Sequence, residues 1–439
     1  MTQPVLIVGA GIAGLTCALE LHRARVPVQL LEAGPEVGGR VRSTVVDGFV
    51  LDHGFQVLFT AYPSLRRMLD LPALRPRRFR PGAHIVRDGR VALIGDALRD
   101  PTLLLPTLRA PGIRLVDALR LLALRRFACG LSVEQCLAPP YPRISTREFL
   151  LARGFGAAMI DGFFAPFYGG ILLDRSLSTS ASILLFTFKM LAEGDTVVPA
   201  EGMGAIPRQM ASRLPVGSVR CTTPVVALET EDGRIAGVRL ANGSLLRAPH
   251  VVVATDPVAA ARLAETIRIP MDQPPRGLGC TTLYFTARRT PIPGRALWLN
   301  GAPDAVVSHA VTLTDVAPTY ATDGRILVAA TAVGEPATWP DAQLEAAARR
   351  ELLMLGGLTD AEAGLERVGL FRVPYAQFAQ PPGAGELRPT VACAIAGLWR
   401  ASEVLHSSSL EGAAQGGLLA AHAILAASPA SSDLPPGLP

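Results

Sequence analysis

A β-branched run, Val5 to Val8, breaks into Gly9-Ala10-Gly11-Ile12-Ala13-Gly14 and continues as an apolar helical stretch; nothing else in the chain restricts its fold as tightly. A glycine makes the tight turn out of the strand. The bare backbone at Gly11 lets a pyrophosphate sit against the N–H groups that open the helix, and Gly14 lets that helix lie close on the strand. The next apolar run, Val26-Pro27-Val28-Gln29-Leu30-Leu31, ends at Glu32, where an acid accepts hydrogen bonds from a ribose diol. Glycines alone would say little. Strand, glycines, helix and acid in this order predict a Rossmann-like α/β domain holding a dinucleotide, with Gly9, Gly11, Ile12, Ala13, Gly14, Glu32 and Ala33 as its contacts.

At 439 residues the chain is long enough for more than one folding unit, so this motif explains only part of it. Apolar residues make up 49% and charged residues 18%, a greasy balance, yet no uninterrupted apolar stretch is long enough to span a bilayer. No basic segment precedes the first apolar run, which predicts no cleaved signal and a cytoplasmic location, with room for peripheral contact on the inner face of the cell membrane. Cysteines 17, 129, 136, 221, 280 and 393 form no CxxC pair, so no disulfide framework and no metal site is expected. Lys189 is the only lysine, and the arginine clusters near 66–80 and 109–126 lie beside leucines rather than interleaved aromatics. That pattern argues against nucleic acid and for anionic lipid.

The rest of the nucleotide fold returns twice. Between Cys221 and Pro257, short β segments divided by Asp232-Gly233 and Asn242-Gly243 read as a β-meander, followed by a buried strand His250 to Ala254. Val391 to Ala396 reads as another buried strand, followed by Gly397, a polar loop and a small-residue helix from Leu410 to Ala427. The expected division is a nucleotide domain from 1–70, 200–265 and 390–427, a substrate domain from 71–199 and 266–389, and a disordered tail at 428–439. The stretch Leu98 to Phe127 is the greasiest, and Ile113 to Phe127 is apolar on most faces of a helical wheel. A buried helix beside the substrate channel is the preferred reading over one that dips into a membrane.

Gly38-Gly39-Arg40, Asp52-His53-Gly54-Phe55-Gln56 and Tyr62-Pro63 together resemble the superfamily of flavin-containing amine oxidases, protoporphyrinogen oxidases and phytoene desaturases. Further blocks extend the likeness over nearly the whole chain: Phe163 to Gly170, Pro199 to Pro207, Thr223-Pro224-Val225-Val226, and Ser409-Leu410-Glu411-Gly412-Ala413. The resemblance implies FAD, held in a domain of the glutathione-reductase type with an inserted α+β substrate domain. It adds Gly39, Arg40, Gly54, Phe55, Val225, Gly397, Leu410, Gly412 and Ala413 to the expected cofactor contacts. An arginine beside a pyrophosphate would add a charge-assisted fork to the helix N-terminus. The family commonly places an acid directly after the last strand's glycine, whereas Gly397 here precedes Leu398-Trp399-Arg400; Glu403 is the available substitute.

One glycine fingerprint leaves no separate NAD(P)H site, so electrons should enter from substrate and leave to a quinone or O2. The lysine and aromatic pair that mark the family's amine oxidases are missing, because Lys189 precedes the second FAD segment and Ser409 stands where an aromatic is expected. The leucine-rich region suits a long lipophilic substrate delivered from a membrane, and the whole is most similar to bacterial carotenoid desaturases. The implied reaction is desaturation by hydride transfer to flavin N5, at the C-3,4 bond of a hydroxylated acyclic carotenoid. His53, Gln56 and Tyr168 are the candidate catalytic residues, with Arg147 and Glu148 as further pocket candidates. The alternatives are an amine or protoporphyrinogen oxidase, and a non-catalytic flavin or lipid carrier.

Overall fold

The computed structural model describes residues 3–110, 114–268 and 273–427; the tail expected to be disordered, 428–439, lies outside them. At the centre of the nucleotide domain is a five-stranded parallel sheet, in the order Val219–Arg220, Val28–Leu31, Val5–Val8, Val251–Val253, Leu398–Arg400. Val5 to Val8 is buried along its whole length, as an apolar run in the middle of a parallel sheet must be. Gly9 leaves the strand with φ +103°, and a Cβ there would lie 2.8 Å from the Ala254 carbonyl oxygen. At Gly14 a Cβ would come within 2.0 Å of the Gly9 oxygen, so only glycine lets the helix Ile12–Arg23 pack this closely on its strand.

The meander Val225–Glu231, Arg234–Leu240, Leu245–Arg247 is antiparallel. Asp232 and Gly233 both take positive φ at its first turn, the conformation that suits a two-residue hairpin. The last strand corrects the expectation. Val391 to Ala396 is irregular, and the strand is Leu398–Arg400, on the other side of Gly397. Gly397, with φ +84°, folds 391–396 back on it: the Cys393 amide donates to the Leu398 carbonyl and the Leu398 amide to that of Ile395.

The helix Leu410–Ala427 closes the domain against Ile12–Arg23. Its small residues permit this approach, since a Cβ on Gly417 would stand 2.3 Å from the Ala13 oxygen. Glu411, buried at its start, accepts hydrogen bonds from the Ser64 and Leu65 amides and so caps the short helix Pro63–Met68 from outside.

A seven-stranded sheet forms the second layer, ordered Glu366–Phe378, Gly277–Ala287, Ile326–Val333, Val307–Thr312, Leu297–Asn300, Gly82–Arg87, Arg90–Gly95. Both segments assigned to the substrate domain therefore supply it. The segment boundary near residue 70 is crossed, however, by a small sheet joining Leu58–Phe59, Thr196–Val198 and Arg77–Arg78.

The helix Leu115–Gly130 overturns the buried reading of this stretch. Only Asp117, Leu124 and Ala128 are buried in it, while Leu115 is 69% exposed and Val116, Leu119 and Leu122 are exposed as well. The helix Ala181–Glu193 packs against one side of it, and the leucines turned away from that side are bare.

Candidate active site

One cavity of about 1080 Å³ runs from the glycine turn into the substrate layer. At its nucleotide end stand Gly9, Gly11, Ile12, Ala13, Glu32, Ala33, Gly39, Arg40 and Val225. The helix Ile12–Arg23 opens onto it with neither a side-chain cap nor an acid in its first turn, leaving amide donors and the positive end of the helix dipole for an anion. A Cβ on Gly11 would meet nothing within 4 Å, so that approach is clear. Glu32 accepts from the Ala10 and Gly34 amides, both at 2.8 Å, which orients its carboxylate at the strand end. These residues fit the diphosphate and ribose of FAD.

Arg40 reaches the cavity already paired. Its guanidinium bonds Glu403 and the carbonyls of Tyr375 and Ala376; burial works against its charge, but Glu403, with Asp256 and Tyr375 behind it, raises the pKa on balance. The buried acid beyond the last strand is thus Glu403, three residues after Arg400, and it lines the cavity where Gly397 does not. Gly397 is corrected from cofactor contact to packing residue, because a Cβ there would meet the Pro249 oxygen at 2.3 Å. Gly14 and Gly412 likewise serve close packing rather than the cavity wall, a Cβ on Gly412 falling 1.8 Å from the Ser407 oxygen. Leu410 and Ala413 line it, joined by Ser407, Ser408 and Ser409.

The middle of the cavity is the loop His53-Gly54-Phe55-Gln56. The Gln56 amide nitrogen donates to the Arg40 carbonyl at 2.8 Å, while its Oε1 is buried with no partner, an acceptor waiting for a donor. His53 is hydrogen-bonded to Thr44 Oγ1 at 2.7 Å and stacked on Phe371, ring centroids 4.5 Å apart. Burial, then the charge of Arg42, lowers its pKa, so the ring is neutral near pH 7. Tyr168 is buried on the wall, and burial pushes its pKa far up, so its phenol keeps its proton and is no base.

Beyond the loop the lining is mostly apolar, with Phe163, Phe167, Ile171, Ile183, Phe186 and Leu191, then Leu104, Leu108, Leu121 and Leu122; Arg99 and the Arg125–Asp96 ion pair are charged members there. Arg147 and Glu148 are not part of it. Arg147 pairs with Asp161, and Glu148 forms a capping box with Ser145. Lys189 is buried against Glu193 and the Cys129 carbonyl. His309 is a lining residue that the sequence reading missed; its only signal was one imidazole in the otherwise apolar or hydroxylic strand Val307-Ser308-His309-Ala310-Val311-Thr312. Among the described residues there is no cluster suited to a metal ion.

The model of the flavin-containing amine oxidoreductase family matches residues 12–425. The chain is 28% identical over 282 residues to a 4,4'-diapolycopene oxygenase of Methylomonas sp., covering 57% of this chain and 55% of that protein. It is 35% identical over 89 residues to protoporphyrinogen oxidase 2 of Arabidopsis thaliana, covering 19% and 18%. To hydroxyneurosporene desaturase of Rubrivivax gelatinosus it is 45% identical over 53 residues, covering 12% and 10%. The matched stretches thus span from a tenth to about half of these relatives' lengths. An oxidoreductase structure from Methanosarcina mazei superposes with a TM-score of 0.73 at 17% identity, over 97% of this chain and 100% of that one, which shows the fold.

Proposed function

The chain belongs to the flavin-containing amine oxidoreductase family, and from that premise we propose that it desaturates a long acyclic carotenoid, at the C-3,4 bond of a hydroxylated one, working against a membrane surface. It is an FAD-dependent oxidoreductase. The observation that carries the finer reading is the course of the cavity: the same space that begins at Gly11 and Glu32 continues between Leu104, Leu108, Leu121 and Leu122, beside helices whose outer leucines are bare. A polyene is long, apolar and dissolved in lipid, and an apolar tunnel reaching toward a leucine surface suits its delivery.

Bound FAD supplies the hydride acceptor. The protein holds the substrate and keeps water out: Phe163 and Phe167, stacked at 5.6 Å, and Ile171, Ile183 and Phe186 wall the space beside the His53–Gln56 loop. The neutral His53 and the protonated Tyr168 leave that wall uncharged, matching a hydrocarbon rather than an ammonium ion. Lys189 is spent in its pair with Glu193. The carbon next to the reacting one would give up its proton to a base or to solvent at the mouth of the cavity. Electrons go on to a quinone or O2.

The leucine surface is Leu98, Leu104, Leu105, Leu108, Leu115 and Leu119, all exposed. Arg109 and Arg126, exposed nearby, have no ion-pair partner among the described residues. Apolar side chains flanked by free guanidinium groups suit an anionic bilayer. No helix is long and apolar enough to cross one.

The test is anaerobic mixing of the flavin-loaded protein with anionic liposomes carrying a hydroxylated acyclic polyene, in parallel with primary amines and protoporphyrinogen. Bleaching of the flavin band by the polyene is expected. Bleaching by an amine or by the porphyrinogen alone would sink the desaturase reading.

A further inference from the structure

His309 is an anomaly in this cavity. It stands mid-strand in Val307–Thr312, opposite Leu299 on one side and Thr331 on the other. All three residues line the cavity. Its ring lies edge to face with Phe55, centroids 4.9 Å apart, so it is one ring away from the loop that carries His53 and Gln56. The residue is 5% exposed, and neither ring nitrogen has a hydrogen-bond partner in the protein. Burial alone lowers its pKa to about 4, which leaves a neutral imidazole with one N–H donor and one acceptor, both unused.

Buried polar groups are rarely left so, because each unmade bond weighs against folding. Leucine or phenylalanine would fill the same place without that penalty. As the ring stands both nitrogens are covered, Nδ1 lying 2.8 Å from where a Cβ on the lining residue Gly170 would be. A half-turn about Cβ–Cγ exchanges each nitrogen with a ring carbon at nearly unchanged shape, so a nitrogen can be presented to whatever fills the cavity.

We propose that His309 is the specificity residue for an oxygen substituent on the lipophilic substrate: its imidazole hydrogen-bonds a hydroxyl carried near the end of the polyene that enters beside Phe55. The inference rests on the desaturase reading and sharpens it. A pure hydrocarbon leaves His309 unpaired and gains nothing from it. A hydroxylated one gives one ring nitrogen its partner, and a site that buries a group for hydrogen bonding discriminates strongly against the analogue lacking it. The hydroxyl also sets register, since an apolar tunnel by itself lets a uniform chain slide.

The experiment compares two acyclic polyenes differing only in a terminal hydroxyl. Equilibrium binding, followed by the shift of the polyene spectrum, and kcat/KM are measured for the wild type, His309→Leu and His309→Asn, each checked for retained flavin. The wild type should prefer the hydroxylated polyene by roughly ten- to hundred-fold in both readouts. His309→Leu should lose the preference while binding the deoxy compound at least as well, and His309→Asn, which keeps a donor and an acceptor, should restore part of it. A merely structural role predicts that both polyenes weaken equally in His309→Leu, an outcome that overturns the proposal, as does a wild type without preference. Should His309→Leu lose its flavin, Gly170→Ala, which must displace the ring, serves instead with the same expectation. If neither polyene binds or bleaches the flavin, the desaturase reading fails and takes the inference with it; turnover of both without preference fails the inference alone.

Discussion

Asp52 shows how much one side chain ties together. It ends the strand Phe49–Asp52, is buried, and accepts hydrogen bonds from Ser43 Oγ, the Met203 amide and the Tyr320 hydroxyl, while its carbonyl accepts from Tyr284. The nucleotide hairpin, the block at 203 and the substrate sheet therefore meet on one residue. Burial nonetheless pushes its pKa up from 3.8 to about 6. The folded state then holds this proton more tightly than the unfolded chain, so the contribution to stability is fullest below the unfolded value and is lost as pH rises through about 6. A shift of this size corresponds to about 3 kcal/mol at most. In urea titrations the wild type should lose stability relative to Asp52→Asn between pH 4 and 6.5 and run parallel to it above. Parallel curves throughout would refute the assignment. At this scale the sequence was informative where a residue type has one physical use. Glu32 and the glycines at 9 and 11 sit where the motif demands. Gly397 and Gly412 read as cofactor contacts yet serve packing, because a glycine needed for backbone approach and one needed for ligand approach look alike in sequence.

Among the elements, Leu115–Gly130 departs furthest from expectation. Its apolar periodicity is legible, but periodicity says that a face wants covering, not what covers it. Ala118, Leu121, Leu122 and Arg125 face the cavity, while Leu115 and Leu119, one turn apart on the neighbouring face, are bare. Replacing both with Asp should abolish cosedimentation with anionic liposomes. Stability should stay within about 0.5 kcal/mol, as for surface positions without partners, and flavin content should not change. Retained vesicle binding would show that this helix is not the contact. The strand expected at Val391 to Ala396 is absent for a different reason: in sequence Gly397 reads as a stop after an apolar run, whereas its positive φ makes it the turn that starts one.

Taken whole, the cavity is assembled from segments hundreds of residues apart, from Gly9 through Val225 and His309 to Ala413. FAD held there by residues of the first strand, the meander and the closing helix would stabilise the fold by mass action. At a thousandfold excess over its Kd the gain is about 4 kcal/mol. A thermal melt of apoprotein titrated with FAD should climb accordingly, and NAD at the same concentrations should leave it unmoved; a midpoint indifferent to FAD would contradict the cofactor assignment. The chain's covalent order was sufficient for the Rossmann-like turn and its dinucleotide, because those rest on local backbone geometry and on residues near one another in sequence; FAD in particular follows from the family resemblance that Gly38-Gly39-Arg40 and the later blocks carry. Tertiary structure alone decided the pairing of Arg40 with Glu403, the outward face of Leu115–Gly130 and the unpaired imidazole of His309 inside the cavity. Burial and hydrogen-bond satisfaction are properties of what surrounds a group, and those surroundings come from remote parts of the chain.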